Sequence, residues 1–478
     1  MAILKIAKPH YNIDSTAKQT VSDTIFDGYL DDADALCSRF GCEEFAVINS
    51  GYAGDGLFWW DKIGKPIAIT GGVAYTFDVN GTVTPLTGGV FEIGTQVTFA
   101  AGQKVDNSGI LMIANGARIN YTTNGTSLAQ VSSPAPQTAS HVIYNGLRFI
   151  ANETNTARFA FSDIDPTTGE FDPLFWAAIE NPLTDDARGD NIKGLFQAWD
   201  DIAIWGAEGR SIWRVTGGSP PIEAWAGAFC EAGLLAPYSV KKTDNTFYAL
   251  CMVDEKPAVI AIQANNPIII SLDIEKVLDS LETLDDAIGD LVSVNGQSFY
   301  ILTFPTEGQT WVYNIKRKEW YQWSLWETSA REAFLFRNFI YIPQWGKHLC
   351  QSRLTGKIYE VKPEGVMDDS NIIRTEWQSA WWNAGTFEDK ILARLRIIIK
   401  RGQGDLIGND PVIVIRWRDN GRQDWKVERQ ISVSLGLQGR YEFYRTISGL
   451  GMFRSRQFSV ILTDPAKLVL VGIEPIIG

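Results

Sequence analysis

The stretch from Trp199 to Ser219, WDDIAIWGAEGRSIWRVTGGS, limits what this chain can become more than any other. Two short apolar runs, Ile202 to Trp205 and Ser211 to Thr216, flank Gly206-Ala207-Glu208-Gly209, and Gly217-Gly218 closes the unit. Short runs rich in Ile, Trp and Val around a glycine-containing connection predict a β-hairpin. A lone hairpin is marginal in water, so its apolar faces must be covered by further hairpins of the same kind.

Such hairpins recur. A glycine, an aromatic or β-branched pair and then polar residues return as Gly72-VAYTFDVN-Gly81, Gly116-ARINYTTN-Gly125, Gly308-QTWVYNIKRKEW and Gly356-KIYEVKPE-Gly365. Between them lie partner strands such as Pro66-IAIT, Gly109-ILMIA, Phe247-YALCMV and Ser298-FYILTF. A spacing of roughly 40 to 50 residues with about four strands per unit is the signature of propeller blades. The expected fold is therefore all-β: a β-propeller of six or seven blades over residues 46–365. The 43 Gly beside 17 Trp, 15 Tyr and 24 Phe fit that reading better than a helical bundle.

Three segments break the pattern. Residues 1–45 read as an N-terminal arm, with a short helix from Asp31 to Gly41. Residues 163–191, with three prolines, read as an ordered surface insertion. Residues 271–289, SLDIEKVLDSLETLDDAIG, predict one inserted amphipathic helix. Ser271 would cap it, Ile274, Val277, Leu278, Leu281 and Leu284 would form its stripe, and Gly289 would end it. Beyond residue 365 the strands lengthen, as in Ala393-RLRIIIKRG and Pro411-VIVIRWRDNG, and residues 366–478 read as a C-terminal β-sandwich.

The chain carries 56 acids against 43 bases, a net charge of −13, which argues against a protein that grips phosphates over its whole surface. The charge is uneven, since 14 Lys or Arg and 6 Asp or Glu lie between Lys390 and Arg456. This basic sandwich suits an assembly interface, or is simply the solvated face of its strands. Five Cys without a paired motif and three His give no metal site, and reduced, mostly buried thiols are expected. Lys5 and Lys8 break any signal-peptide core, and no run reaches 18 apolar residues, so neither secretion by that route nor a membrane span is expected.

Catalytic patterns are weak. Asp200, Asp201, Glu223 and Asp254 offer carboxylates for glycoside hydrolysis, but a chain this acidic supplies such pairs by chance. His141 and His348 sit in no nucleophile signature. Thr70-Gly-Gly72 and Thr216-Gly-Gly-Ser219 lack the lysine and spacing of a phosphate loop and read as turns. Trp417-RDNGRQD-Trp425 resembles the Asp-box of propeller glycosidases without its Ser, and reads as a hairpin turn at Asp419-Asn420-Gly421. In the pair Trp381-Trp382, adjacent strand residues point to opposite faces; either one ring meets a partner, or both are buried.

The order of blades, helix and sandwich resembles that of the packaged-DNA stabilisation or tail nozzle proteins of short-tailed bacteriophages. The resemblance is carried by Val97-TFAAGQKVDNSGILMIANGARINYTTNGT, by Gly194-LFQAWDDIAIWGAEGRSIWRVTGGS with Ala224-WAGAFCEAGLLAPYSV, by the SLDIEKVLDSL segment, and by Tyr444-RTISGLGMFRSRQFSVILTDPAKLVLVGIEP. It implies a non-enzymatic virion protein of the tail, made in the host bacterial cytoplasm. It further implies a ring, of six copies, that closes off and later conducts the packaged genome and docks the portal-adaptor ring, fibres or spikes and a needle or plug. No catalytic, cofactor or metal residue is expected. Contact with packaged double-stranded DNA would be transient and non-specific, because a lumen lined with carboxylates lets a polyanion with one charge about every 1.7 Å slide. Subunit or partner contacts are then expected at Trp381, Trp382, Arg416, Arg418, Arg440, Arg454 and Arg456. The competing class is a propeller glycosidase or polysaccharide-binding tail protein with the sandwich as carbohydrate module. A cellular propeller scaffold would leave the sandwich without a role.

Overall fold

The computed structural model describes residues 3–11, 22–49, 51–104, 106–176, 183–185, 190–216, 218, 220–327, 329–403, 410–422, 424–425, 429–436 and 444–478. Among these, seven antiparallel sheets succeed one another as blades built on four strands, in sequence order in all but the last. Blade 4, for example, runs Gly194–Ala198, Asp201–Trp205, Arg210–Val215 and Ile222–Ala224, which places the Trp199–Ser219 hairpin as its second and third strands. The first strands converge on an axis, where Gly56, Thr98, Val142, Gln197, Lys241, Ile288 and Asn338, one from each blade, line a common cavity. Most second strands are largely apolar because both of their faces meet a neighbouring blade. Ile110, Leu111, Met112, Ile113 and Ala114 of blade 2 are completely buried.

Tight turns fix the registers. Gly71 and Gly72, at φ 59° and 77°, join Lys65–Thr70 to Val73–Phe77, and Asn295-Gly296, at 52° and 73°, joins Ile288–Val294 to Gln297–Phe304. Two successive positive φ values match the right-handed twist of the paired strands, and glycine or asparagine adopts them with little strain.

The chain termini are worked into the body. Blade 7 takes its inner three strands, Phe336–Ile342, Lys347–Ser352 and Gly356–Lys362, from late in the chain and its outermost strand, Gly41–Asn49, from the beginning. The expected arm boundary at residue 45 thus falls inside a strand, and closure of the propeller depends on it. Just before that strand, Thr24–Phe26 lies parallel to the outer strand of blade 6 through Phe26 and Gln322, and antiparallel to Thr375–Gln378. Arg456–Leu462, Val412–Asp419 and Gln430–Ser434 follow, so one nine-stranded sheet runs from blade 6 into the sandwich. The facing sheet orders Gly28–Leu30, Leu36–Ser38, Val469–Ile477, Lys390–Ile399 and Tyr444–Ser448. The sandwich is therefore assembled from residues 24–38 together with the C-terminal segment, and its core is shared: Ile25, Leu36 and Phe40 pack with Phe299, Trp323 and Phe334 and with Trp377, Leu395, Ile415 and Phe458.

Two helix expectations are corrected. Asp31 to Gly41 forms a hairpin because the Asp31 carboxylate accepts the Ala33 and Ala35 amides, which ties a turn instead of a helical cap. The helix expected over 271–289 is one turn of 3-10 helix, Leu272–Ile274, and a short α-helix, Glu275–Ser280. Its chain leaves the helix at Leu281, where the Glu307 carboxylate takes the Glu282 and Thr283 amides, and Gly289 belongs to a strand of blade 6. Ser271 does not cap; its hydroxyl accepts the Val259 amide. The stripe was read correctly, since Ile274, Leu278 and Leu281 are buried. Within 163–191 the described part opens with a hairpin, Asp163–Asp165 and Glu170–Asp172, and Leu183–Thr184 is the outer strand of blade 3.

An ionic cluster locks the junction of propeller and sandwich. Arg39 is buried and donates through Nε to Asp27 Oδ1, through both terminal nitrogens to the Asp368 carboxylate, and to the Ser324 and Phe40 carbonyls. Burial disfavours its charge, but Asp368 and Asp27 outweigh that and hold the guanidinium protonated. Breaking such a pair strands a charge, at about 3–5 kcal/mol. Arg39→Met should therefore lower the denaturation midpoint sharply. Arg39→Met combined with Asp368→Asn should recover part of the loss, and equal midpoints for the two variants would contradict this account.

Candidate partner-binding face

Strand alternation sorts the sandwich's first sheet into two faces. Ile413, Ile415 and Trp417 point into the core, while Val414, Arg416 and Arg418 point outward. Register sets Arg416 beside Ser459 and Arg418 beside Gln457, and places Glu376 next to Ile461 on the same face. The Glu376 side chain is only 3% exposed and collects three guanidiniums: Arg416 at 2.7 Å, Arg374 at 3.1 Å and Arg331 at 3.3 Å. Burial alone would raise this carboxyl, yet Arg374, Arg416 and Arg331 together hold it below its ordinary value.

Over this carboxylate lies a layer of planar groups. The Arg374 guanidinium stands 4.1 Å above the Trp326 ring, and Arg331 lies 4.4 Å over Phe26. On the other side Arg416 and Arg418 approach Trp425 at 4.5 and 4.6 Å, and Arg418 faces Trp381 at 5.6 Å. Arg418 also donates to Gln457 Oε1 at 2.6 Å. Burial, reinforced by the like charge of Arg416, makes the Arg418 cation less favourable than usual, with Asp424 opposing. Stacked guanidinium and indole planes lose few rotamers on meeting a partner, so this face is preorganised for contact.

The expected contact residues divide. Trp381, Arg416 and Arg418 come together on this face. Trp382 points the other way, stacking on Phe453 at 5.5 Å and packing toward Phe458, so the adjacent tryptophans do serve opposite faces. Arg454 is exposed and pairs with Asp389 at 3.0 Å. Arg456 is corrected: at 1% exposure it is a buried structural group, held by Asp419, which also binds Arg429. Arg440 lies outside the described residues. Sequence reading missed Phe26, Trp326, Arg331, Arg374 and Glu376. Glu376 sits in an alternating TEWQ strand, a local hint of an outward acid, but nothing local announced that hairpin Ser324–Ala333 would fold over it. The Asp419-Asn420-Gly421 turn is present, with Asn420 and Gly421 at φ 57° and 76° and the Asn420 side chain accepting the Arg454 and Ser455 amides.

The propeller axis holds a cavity of about 310 Å³ walled by Phe58, Phe99, Phe196, Tyr238 and Phe339. Near it Asp55, whose carboxyl burial pushes up to about 6 against the pull of Arg337, accepts from Arg337 at 3.2 Å. His141 stacks on Tyr238 and is held neutral, burial pushing it down to about 4 while the Pro237 carbonyl opposes. The acids considered for hydrolysis do not converge there. Asp201 pairs with Arg214, Glu223 lies beside Arg214 on the outer strand of blade 4, and Asp254 occupies an exposed turn of blade 5. His348 lies against Tyr341 on blade 7, and Thr70-Gly-Gly72 is a hairpin turn. Residues 217 and 219 of the other glycine turn lie outside the described residues. Cys42, Cys230, Cys251 and Cys350 are buried and Cys37 half-buried, all as free thiols. Among the described residues no cluster of His, Cys, Asp or Glu has metal-binding geometry, and no helix is long and apolar enough to cross a membrane.

Seven radial four-stranded sheets with an axial cavity define a β-propeller protein, here fused to a sandwich that carries the arginine–tryptophan face. A family model described as the phage stabilisation family, "Bacteriophage P22 Gp10, beta-propeller", matches residues 24–365. The chain belongs to this family and is a phage structural protein. The match begins at Thr24, the strand that joins propeller to sandwich, and so includes the strand that closes blade 7. No curated protein is significantly similar to it in sequence. Solved structures are distant in sequence. YCF48 from Cyanidioschyzon merolae is 10% identical with a TM-score of 0.41, covering 68% of this chain and 99% of that one. The extracellular domain of a two-component system protein from B. thetaiotaomicron is 8% identical with a TM-score of 0.43, covering 78% of this chain; this chain spans 45% of that one.

The face carries a pH prediction. A carboxyl with a lowered folded pKa stabilises the fold fully above its unfolded value, 4.5 for Glu376, and loses that contribution as pH falls through the lower folded value. Acidification below this range should lower the melting temperature of the wild type more steeply than that of Glu376→Gln. The variant itself should be less stable at neutral pH, and parallel pH profiles would refute the assignment.

Proposed function

We propose that this protein forms the tail nozzle ring of a short-tailed phage, closing off and later conducting the packaged genome and docking the portal-adaptor ring, fibres or spikes and a needle. Membership of the phage stabilisation family is the observation that carries this reading. Two features support it. The termini are both bound into the body, giving a stiff unit suited to withstanding the outward push of packaged DNA. The sandwich also presents an arginine–tryptophan surface of the kind enriched at protein interfaces. The protein acts without catalysis or cofactor, as one of six copies in the virion tail, after synthesis in the host bacterial cytoplasm. Acids facing the ring lumen keep the duplex from adhering while it passes.

Electron micrographs of the purified chain mixed with its adaptor ring should show a closed ring with the adaptor. A persistent monomer that degrades polysaccharide would overturn the reading. Replacing several lumen-facing acids by Lys, once the ring is seen, should slow genome ejection in a single-particle release assay. Unchanged ejection kinetics would refute the role given to lumen charge.

A further inference from the structure

Two surfaces of opposite character lie on the described molecule. The first is the arginine–tryptophan face, where Arg331, Arg374 and Arg416 surround one buried carboxylate, Glu376, and Arg418 stands beside Arg416 with Asp424 near it. Arg331 also pairs with Asp27, which is already bound to Arg39. Among the described residues of this face, the four arginines outnumber Glu376 and Asp424, at the rim of an indole surface.

The second surface is the knuckle between blades 5 and 6. Residues 273–286 carry six acids against the single base Lys276. Some of these are committed: Asp273 pairs with Lys8 and Glu275 with Lys256. Asp279, Glu282 and Asp285 are exposed, and none has an ion-pair partner among the described residues. Beside them the outermost strand of blade 5, Asn266–Ile269, is exposed at all four positions, and Ile268 and Ile269 are 56% and 40% exposed. Apolar area left in water forgoes about 25 cal/mol per Å². An apolar centre with an acidic rim is complementary to an aromatic centre with a basic rim.

The two surfaces are different patches, so a contact between them repeats head to tail and closes into a ring when the rotation permits. We propose that the arginine–tryptophan face of one copy docks on the acidic knuckle of the next copy. This rests on the ring reading above and names its subunit contact.

The test uses full-length chains followed by native mass spectrometry and sedimentation, with the adaptor ring present and absent. Arg418→Ala/Trp425→Ala disables one face, and Asp279→Asn/Glu282→Gln/Asp285→Asn disables the other. Each variant alone should raise the assembly midpoint concentration by about 30-fold or more, the scale of an interface hot spot. Mixed, the two should stop at a one-to-one heterodimer, because each retains a single intact face. Raising salt toward molar, where screening shortens from about 10 Å to about 3 Å, should dissociate the wild-type ring. The knuckle substitutions lie at exposed positions, so that variant keeps the test decisive if the sandwich variant misfolds, which near-ultraviolet circular dichroism would reveal. Wild-type rings together with rings of unchanged midpoint from the knuckle variant overturn this docking and leave the nozzle reading standing. A wild type that stays monomeric with its adaptor overturns both.

Discussion

The Arg39 guanidinium ties the two parts of this molecule together at their seam. It joins Asp27 and Asp368 and reaches the Ser324 carbonyl, so the first strands of the chain, the exit of blade 6 and the exit of blade 7 meet on one buried cation. Removing a cation from water is costly, and the cost is offset only when its donors are satisfied together. All three segments must therefore be in place at once. Asp27 adds its own constraint: it sits at φ 52° and accepts the Ser324 amide and hydroxyl and the Arg331 guanidinium as well. Arg331 then reaches Glu376, which carries the cluster from the junction to the outward face of the sandwich.

This arrangement explains why propeller and sandwich are not beads on a string. The strand that closes blade 7 and the strands that begin the sandwich are consecutive in the chain, Gly41–Asn49 following Gly28–Leu30 and Leu36–Ser38. Opening the propeller would pull on the sandwich, and unfolding the sandwich would release the closing strand. A single hydrophobic core spans the seam, with Trp323 packed against both Phe40 and Phe299. That coupling makes propeller and sandwich one cooperative body.

The candidate face inherits its rigidity from the same cluster. Glu376 is held by three arginines, and those arginines are held in turn by the rings of Phe26, Trp326 and Trp425. The side chains that a partner would meet are thus positioned by groups a partner never touches.

Much of the fold was written locally. Glycine-bounded turns and short apolar partner strands announced the blades, because strand faces and tight turns are decided by residues a few positions apart. The stripe Ile274, Leu278 and Leu281 was equally legible, though the helix it seemed to extend is cut short at Leu281 by a carboxylate from Glu307, 26 residues away. Sequence also marked Trp381, Arg416 and Arg418 as surface groups, yet it grouped Arg456 with them, since an arginine's burial depends on whether an acid such as Asp419 faces it across the sheet. Local patterns determined strands, turns and the excess of positive charge late in the chain. Only the tertiary structure decided that residues 24–49 complete a blade and a sandwich, and that Arg331, Arg374 and Arg416 share one carboxylate, because strand pairing and ionic contact are settled by proximity in space.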